Sequence, residues 1–463
     1  MNNFFLKEDL SRNWVKYIHT LLVIVISVAI YFHYQTGNSH KSDDYKDILT
    51  IIISIMTTIV TTTFSAVLVA LQLASAQFSP RITRAFFRES NYNQGVFYSF
   101  LLSITFCCAI LITGVYKQPA PESYLPIFYP YLSISAIIFA FILLAYVFPK
   151  FIFNIIDSIN VASIIAAITK KTLNEIDIIY GKDVWSRKDI ETHIRKIHDD
   201  SRSQKLLSEK FGYIDFVDFK NISKLLSSNR NLNIYLEPVV GNYVTIGSVL
   251  INVEYDSKAE IREISPKLAH KLRECFAISK YRSYDQDIMF GVRQITDIAI
   301  KALSDAVNDP TTAVNCIHYL GTIIQRMAYA KIPSIYARYP NHAVHIKEFT
   351  FDQLVDLSFD QIYQAGKESY AVVRQILSTI TEIIPFVNNP ANLKILITQV
   401  IDMELSSHSQ GFAEFDNSIK KALEKFYKTV PLHIKTLNAN SDELNELSSL
   451  CEIKSKELNN IQE

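Results

Sequence analysis

Four long stretches without a charged side chain lie within the first third of the 463-residue chain. A helix needs about 20 apolar residues to cross the hydrocarbon core of a bilayer, and each stretch is long enough or nearly so. They contain 18, 33, 27 and 27 residues and occupy Tyr17–Tyr34, Ile48–Pro80, Ser90–Tyr116 and Ser123–Pro149. The pattern predicts four transmembrane helices over residues 1–150, the second long enough to project beyond the membrane.

A cleaved signal peptide is the alternative interpretation of the first stretch. Lys7, Arg12 and Lys16 precede it, and Ser27-Val-Ala29 is similar to a cleavage site. However, the apolar run continues to Tyr34, beyond the apolar length typical of a cleaved signal. The pattern therefore favours an uncleaved helix.

The distribution of charge predicts a membrane domain followed by a water-exposed one. Residues 1–150 hold 10 basic and 7 acidic side chains, and the rest of the chain holds the other 36 and 39. Lysine and arginine concentrate before the first stretch, after the second and after the fourth, and such residues favour the cytoplasmic side. Both termini and the whole C-terminal part are therefore predicted to be cytoplasmic.

Several classes of protein are disfavoured by composition. The 46 basic and 46 acidic residues cancel, whereas a nucleic-acid binder usually has a basic excess. The five cysteines form no CxxC pair, which disfavours a disulfide framework or a zinc site. No nucleophile elbow, Walker A loop or dinucleotide fingerprint is present, so we expect no enzyme, catalytic residue, metal or cofactor.

The remainder of the chain predicts a cytoplasmic α+β module. Residues 151–205 are expected to form a helical connector, and residues 206–256 a small, barrel-like β domain, because β-branched runs alternate there with turn signals. Residues 257–438 are mainly helical in pattern, and Asp309-Pro310 is a capping pair for the start of a helix. Helices are expected at 264–278, 285–306, 310–329, 351–364, 367–384, 390–407 and 412–428. Residues 439–463 are expected to form a polar C-terminal helix or tail.

The second stretch carries polar side chains at one helical period. They are Ser54, Thr58, Thr61, Ser65 and Gln72. Polar side chains at membrane depth face protein or water, so this stripe either lines a pore or packs between helices. A single four-span subunit leaves little room for a channel, so a pore requires several subunits.

Two further clusters are candidates for function. Arg81, Arg84 and Arg88 recur on one helical face after the second stretch, as a basic flank touching lipid headgroups or an anion-attracting vestibule. In the cytoplasmic module, a polar motif is either a self-paired surface and a capped turn or a subunit contact or ligand site. Its members are Gln286, Asp287, Arg293, Asp297, Lys301, Asn308 and Asp309.

Two segments resemble the signatures of a known family. The first is Leu71-Gln-Leu-Ala-Ser-Ala-Gln-Phe-Ser-Pro-Arg81, and the second is Gln286-Asp-Ile-Met-Phe-Gly291 followed by Asp297–Ala313. Together with the layout, they are similar to the bacterial predicted membrane proteins of domain of unknown function 2254. The resemblance implies this architecture and a bacterial inner membrane, and it implies no activity or substrate.

These features lead to two functional hypotheses. The first is a homo-oligomeric channel or pore for ions or small solutes, lined by the second span, with the cytoplasmic module as a vestibule or gate. The alternative is a membrane-anchored sensor or scaffold whose module binds a ligand or protein. The expected partners are the lipid bilayer, further copies of the chain and ions or a small anionic ligand, and not nucleic acid.

Overall fold

The protein is described here from a computed structural model, which is mostly helical with two small sheets. It describes residues 43–77, 91–116, 125–180, 203–226, 232–255, 264–328, 336–338, 344–347, 349–409, 417–437 and 442–460. The chain divides into two compact units, Met1–Ser163 and Ile164–Glu463.

The described part of the first unit is helical except at Asn160. Its elements are α1 (Asp43–Gln77), α2 (Asn91–Tyr116), α3 (Leu125–Ile142), a π-helical turn (Leu143–Val147) and α4 (Phe148–Ile159). Two buried clusters join these helices. One centres on Met56, Phe100 and Phe139, and the other on Leu49, Cys107, Ile110 and Ala136.

Two segments of the described residues are long and apolar enough to cross a membrane, Lys46–Val69 and Ser133–Phe153. Only 6% and 28% of their most apolar stretches are buried inside the protein. A helix that is apolar all round belongs either in a core or in a bilayer, and so little burial argues against a core. The described residues therefore contain two candidate membrane spans.

The other two predicted spans are not among the candidate spans of the described residues. Tyr17–Tyr34 lies outside the described residues. The third stretch forms the helix α2. Its apolar part among the described residues, Tyr98–Ile112, is shorter than the two candidate spans.

The helix of the fourth apolar stretch continues beyond Pro149. The helix continues through that proline to Ile159, and the π-helical turn stands directly before it, closed by the Phe148 N–H donating to the Leu143 carbonyl. Proline lacks an N–H and its ring crowds the preceding turn of an α-helix. The rare π-helical geometry usually occurs as a single turn inside an α-helix, and here that turn directly precedes the segment that contains the proline.

The second unit contains two sheets. The five-stranded sheet has the order β1-β5-β3-β8-β7, and the three-stranded sheet the order β4-β2-β6. The strands are β1 (Ser203–Leu207), β2 (Gly212–Val217), β3 (Leu232–Leu236), β4 (Tyr243–Val244), β5 (Val249–Tyr255), β6 (Phe276–Ser279), β7 (Tyr336–Arg338) and β8 (Val344–Lys347). The β3–β8 pair is parallel and the other pairs are antiparallel.

The sheets differ from the barrel-like domain expected over residues 206–256. Three strands come from later in the chain, β6, β7 and β8. The expected helix 264–278 was wrong at its end: the helix stops at Glu274, and Phe276–Ser279 pairs with β2. Such pairing joins residues about 60 positions apart, and local periodicity carries no information about it.

Helices make up the rest of the second unit. They are α5 (Val161–Tyr180, which begins in the first unit), α6 (Phe219–Leu226), α7 (Pro266–Glu274), α8 (Ile288–Ala302), α9 (Pro310–Ala328), α10 (Phe351–Gly366), α11 (Tyr370–Ile383), α12 (Pro390–Ser409), α13 (Asn417–Thr436) and α14 (Asp442–Asn460). A 3-10 turn, Ile384–Phe386, follows α11.

Candidate functional site

The hydroxyl stripe of the second span lies on the exposed side of α1. Ser54, Thr58, Thr61 and Ser65 are all exposed, and so is Gln72 further along the helix. Three of the hydroxyls donate to the carbonyl of the preceding turn: Ser54 to Thr50 at 2.9 Å, Thr58 to Ser54 at 2.8 Å and Ser65 to Thr61 at 2.9 Å. Each donor is thus satisfied within the helix, while the oxygen keeps a lone pair for another partner.

The packing face of α1 is on the opposite side. Leu49 and Met56 are fully buried against the other helices of the unit, and the Ser103 hydroxyl donates to the Met56 sulfur at 3.7 Å. Ser65 lies about two and a half helical turns from Met56, which places it on the reverse face. The stripe therefore does not serve the packing of α1 against the described helices of its own subunit.

Exposed apolar side chains border the stripe on both sides. Ile51 and Ile55 follow one side and Phe64 and Leu68 the other, with exposed fractions from 42% to 58%. A narrow polar strip between two apolar borders can be wetted along its centre while its borders contact lipid or neighbouring helices.

The basic flank predicted at Arg81, Arg84 and Arg88 falls outside the described residues. Its two interpretations stay predictions.

In the second unit, Gln286 joins three separate elements. Its side-chain amide donates to the Val217 carbonyl at 3.1 Å and accepts from the Val217 N–H at 3.0 Å, as a strand neighbour would. Its own N–H donates to the Glu175 carboxylate on α5 at 3.2 Å. These bonds hold Gln286 in a left-handed conformation, φ 60°, which is rare for a side-chain-bearing residue.

Asp287 is buried, caps α8 and binds Arg282. Its carboxylate accepts the Phe290 N–H at 2.9 Å, capping α8, and it takes two bonds from Arg282, both at 2.8 Å. Burial raises the pKa of this carboxyl, and the bonds from Arg282 act in the opposite direction. A planar two-pronged pair of this kind is the strong form of ion pair.

The same motif is fastened to α5, the helix that enters this unit from the first. Gly291 of α8 packs against Thr172, and a Cβ at Gly291 would lie 1.8 Å from the Thr172 hydroxyl oxygen. The Arg326 guanidinium binds the Asp177 carboxylate, and the Lys171 ammonium lies 5.1 Å from the centre of the Tyr284 ring. The beginning of α8 and the end of α9 are thus both anchored to α5.

The remaining motif residues stabilise helices. Arg293 pairs with Asp297 at 2.9 Å, one turn along α8, as the spacing predicts. Lys301 stands in the last turn, where a positive charge is favourable. Asn308 has a left-handed backbone, φ 48°, and Asp309 caps α9 by accepting the Thr312 N–H at 3.1 Å.

Most of the residues that complete this junction were not visible as candidates in the sequence. Glu175, Arg282 and Thr172 come from segments without a motif, and their partners are set by the tertiary fold. One signal was present: a glycine at Gly291 in a helical pattern often indicates close packing. Among the described residues, no group of three or more His, Cys, Asp or Glu side chains could hold a metal ion.

Comparisons with known proteins agree with a membrane location. A family model described as "Predicted membrane protein (DUF2254)" matches residues 13–382. An uncharacterized protein of Mycobacterium bovis and one of Mycobacterium tuberculosis are each 30% identical over 291 residues, covering 63% of this chain and 54% of the relative. The chain therefore spans about half the length of these curated relatives. No solved structure matches it. The chain belongs to the DUF2254 family of predicted membrane proteins.

Proposed function

We propose that the protein is a homo-oligomeric channel or pore for ions or small solutes in the bacterial inner membrane. It crosses the membrane four times, with both termini and the second unit in the cytoplasm. The observation that supports it is the exposed hydroxyl stripe of α1, Ser54, Thr58, Thr61 and Ser65, on the face opposite the packing face.

If several copies of α1 surrounded a common axis, these hydroxyls would face a water-filled lumen. The apolar borders, with Ile51 and Ile55 on one side, would then meet the neighbouring subunit and leave the water-facing surface polar. Because the donors of Ser54, Thr58 and Ser65 are already bonded to the helix backbone, the lumen would present mainly oxygen lone pairs. The second unit would serve as a vestibule or gate.

Planar-bilayer recording of the purified full-length protein tests this proposal. We expect discrete single-channel currents, and we expect Thr58→Leu/Thr61→Leu to abolish them or reduce their amplitude several-fold. A matched control is Thr105→Leu on α2, since that threonine is also exposed and its hydroxyl also donates to its own helix, at 2.9 Å. The control should conduct like the unmodified protein.

Three results would contradict the proposal. Silence across salts, voltages and applied tension from folded protein would remove the channel. Currents unaffected by the double substitution would remove α1 from the lining. A monomer in detergent would also be incompatible with a lumen built from several subunits.

A membrane-anchored sensor is the second candidate, and the anchoring of α5 favours it. The helix begins in the first unit and is held in the second by Gln286 and Arg326. Ligand binding that shifted this junction would move α5. Thermal stabilisation of the full-length protein by a small anionic molecule, without any current, would favour this function.

A further inference from the structure

The three-stranded sheet β4-β2-β6 has two chemically different faces. The inner face is apolar and buried, with Ile214, Val217, Val244 and Phe276 in the core. The strand register assigns the opposite face. Tyr213 pairs with both Tyr243 and Ser279, and Phe216 pairs with Ala277 beyond a bulge at Asp215. Tyr213, Tyr243 and Phe216 therefore lie on the same, outer side.

This outer side is rich in exposed aromatic side chains. Phe211, Phe216 and Tyr243 have exposed fractions of 68%, 41% and 55%. Ile246 follows β4 and is 68% exposed, and Tyr281 follows β6 and is 45% exposed. We call these five residues, together with the half-buried Tyr213, the aromatic face. Large apolar side chains exposed side by side usually mark a contact surface.

Basic side chains flank the aromatic face. Lys210 and Lys280 are exposed, and the Lys280 ammonium lies 5.3 Å from the centre of the Tyr281 ring. The neighbouring Glu209 carboxylate is paired with Arg273 at 3.1 Å, which offsets its charge. Aromatic rings bordered by lysine are the composition of surfaces that lie at the membrane–water boundary.

The candidate spans hold the second unit close to a bilayer. The candidate span Ser133–Phe153 ends ten residues before the second unit begins at Ile164, and at the rise of a helix ten residues cover about 15 Å. Such a short connection keeps the local concentration of bilayer surface around this unit high, so that even a weak surface affinity suffices for contact.

We propose that the aromatic face docks on the interfacial region of the bilayer in which the protein is anchored. The rings of Phe211, Phe216 and Tyr243 enter the boundary between headgroups and acyl chains. Lys210 and Lys280 contact the phosphates of anionic phospholipids, which attract basic residues near the surface. This docking is independent of whether the protein conducts.

A single-tryptophan form of the full-length protein tests the proposal. The chain has two tryptophans, Trp14 and Trp185, which are both replaced by phenylalanine before Phe211→Trp introduces the reporter. The protein is reconstituted in vesicles of phosphatidylcholine and phosphatidylglycerol with brominated acyl chains. We expect blue-shifted emission and at least two-fold quenching by the bromine, weakened by Lys210→Glu/Lys280→Glu.

The matched control is Leu432→Trp in the same background. Leu432 is an exposed apolar side chain of α13, also in the second unit, with an exposed fraction of 66%. Its emission should resemble that of tryptophan in water, without quenching by brominated lipid.

Two outcomes would overturn the docking. Emission at position 211 equal to that of the control would mean that the aromatic face is in water. Blue-shifted emission without bromine quenching would mean that protein, such as a second copy of the chain, covers it. Thermal unfolding of each variant verifies that the reporters are read in folded protein.

Discussion

Gly241 and Gly247 show how one missing side chain can decide whether a buried ion pair forms. Both have left-handed backbones, with φ of 90° and 88°. A Cβ on Gly241 would lie 2.3 Å from the Asp287 carboxylate and 2.7 Å from the Arg282 guanidinium, whereas nothing lies within 4 Å of one on Gly247. The Arg282–Asp287 pair therefore depends on a glycine in a separate loop.

Gly241→Ala should destabilise the second unit by about 3 kcal/mol, from backbone strain of about 1 kcal/mol plus displacement of the buried pair. Gly247→Ala has the same backbone strain without the collision and should cost about 1 kcal/mol. Hydrogen exchange of the α8 amides in the full-length protein measures both. Equal effects would show that Asp287 can move without penalty.

At the scale of single elements, α9 begins with the cap that the Asp309-Pro310 pair predicts. Asp309 accepts the Thr312 N–H, its other oxygen accepts the Thr312 hydroxyl at 2.5 Å, and Pro310 follows it. These bonds lower the pKa of the Asp309 carboxyl. The cap contributes fully above the ordinary aspartate pKa of about 3.9, and its contribution is lost as the pH falls through the lowered value.

Asp309→Ala should cost about 1 kcal/mol of stability at pH 7, since the first turn of α9 loses its acceptor. Asp309→Ser, which can still cap, should retain most of it. The exchange rate of the Thr312 amide reports the loss directly. An unchanged rate in the alanine variant would mean that Pro310 alone defines the start of the helix.

The C-terminal helix α14 is attached by a charged side chain. The Lys454 ammonium and the Tyr427 hydroxyl both donate to the Glu404 carboxylate, and the side chain of Glu404 is only 9% exposed. The lysine also lies 5.7 Å from the centre of the Tyr427 ring. One carboxylate thus joins α12, α13 and α14.

Lys454→Met should destabilise the attachment of α14 by about 2 kcal/mol, because a nearly buried carboxylate loses its counter-charge. Lys456→Met makes the same change at an exposed site of the same helix and should stay within about 0.5 kcal/mol. Limited proteolysis near residue 442 reports detachment. Equal protection of both variants would contradict a role for the pair.

At the scale of the whole molecule, stability should depend on an acidic group shared by α10 and α12. Burial, and then the nearby charges of Asp352, Asp360 and Asp402, raise the pKa of Asp356 to about 6. A raised carboxyl pKa means that the folded state binds this proton more tightly than the unfolded state. The contribution of this group to stability therefore falls as the pH rises from about 4 to 6.

Asp356→Asn should stabilise the protein at pH 7 by about 1 kcal/mol, allowing for solvent screening of the partly exposed group, and should have little effect at pH 4. Thermal unfolding of the full-length protein across this range measures the difference. Asp305→Asn, at an exposed position, should run parallel to the unmodified protein. A gain that does not grow with pH would exclude the titration of Asp356 as its cause.

Elements stabilised by contacts between residues close in sequence were predictable, and those that depend on distant residues were not. Expected helices at 310–329, 351–364 and 390–407 match α9, α10 and α12 within two residues at each end, because caps and apolar periodicity are local. The strand Phe276–Ser279 was assigned to a helix, since its partner β2 is distant along the chain. Gln286 and Asp287 were recognised as a motif, but Arg282, Glu175 and Gly241 around them were not.

The sequence by itself determined that the chain is a membrane protein, because hydropathy acts residue by residue. It also determined the starts of α9, α10 and α12 and the single-period hydroxyl stripe of α1. Only the tertiary structure decided which face of α1 is buried. Leu49 and Met56 are buried by contacts with other helices, and these contacts leave the stripe on the outward face. It likewise decided that Gln286 and Asp287 serve as a junction, because a hydrogen bond requires two groups to meet in space, and their spacing along the chain does not encode that meeting.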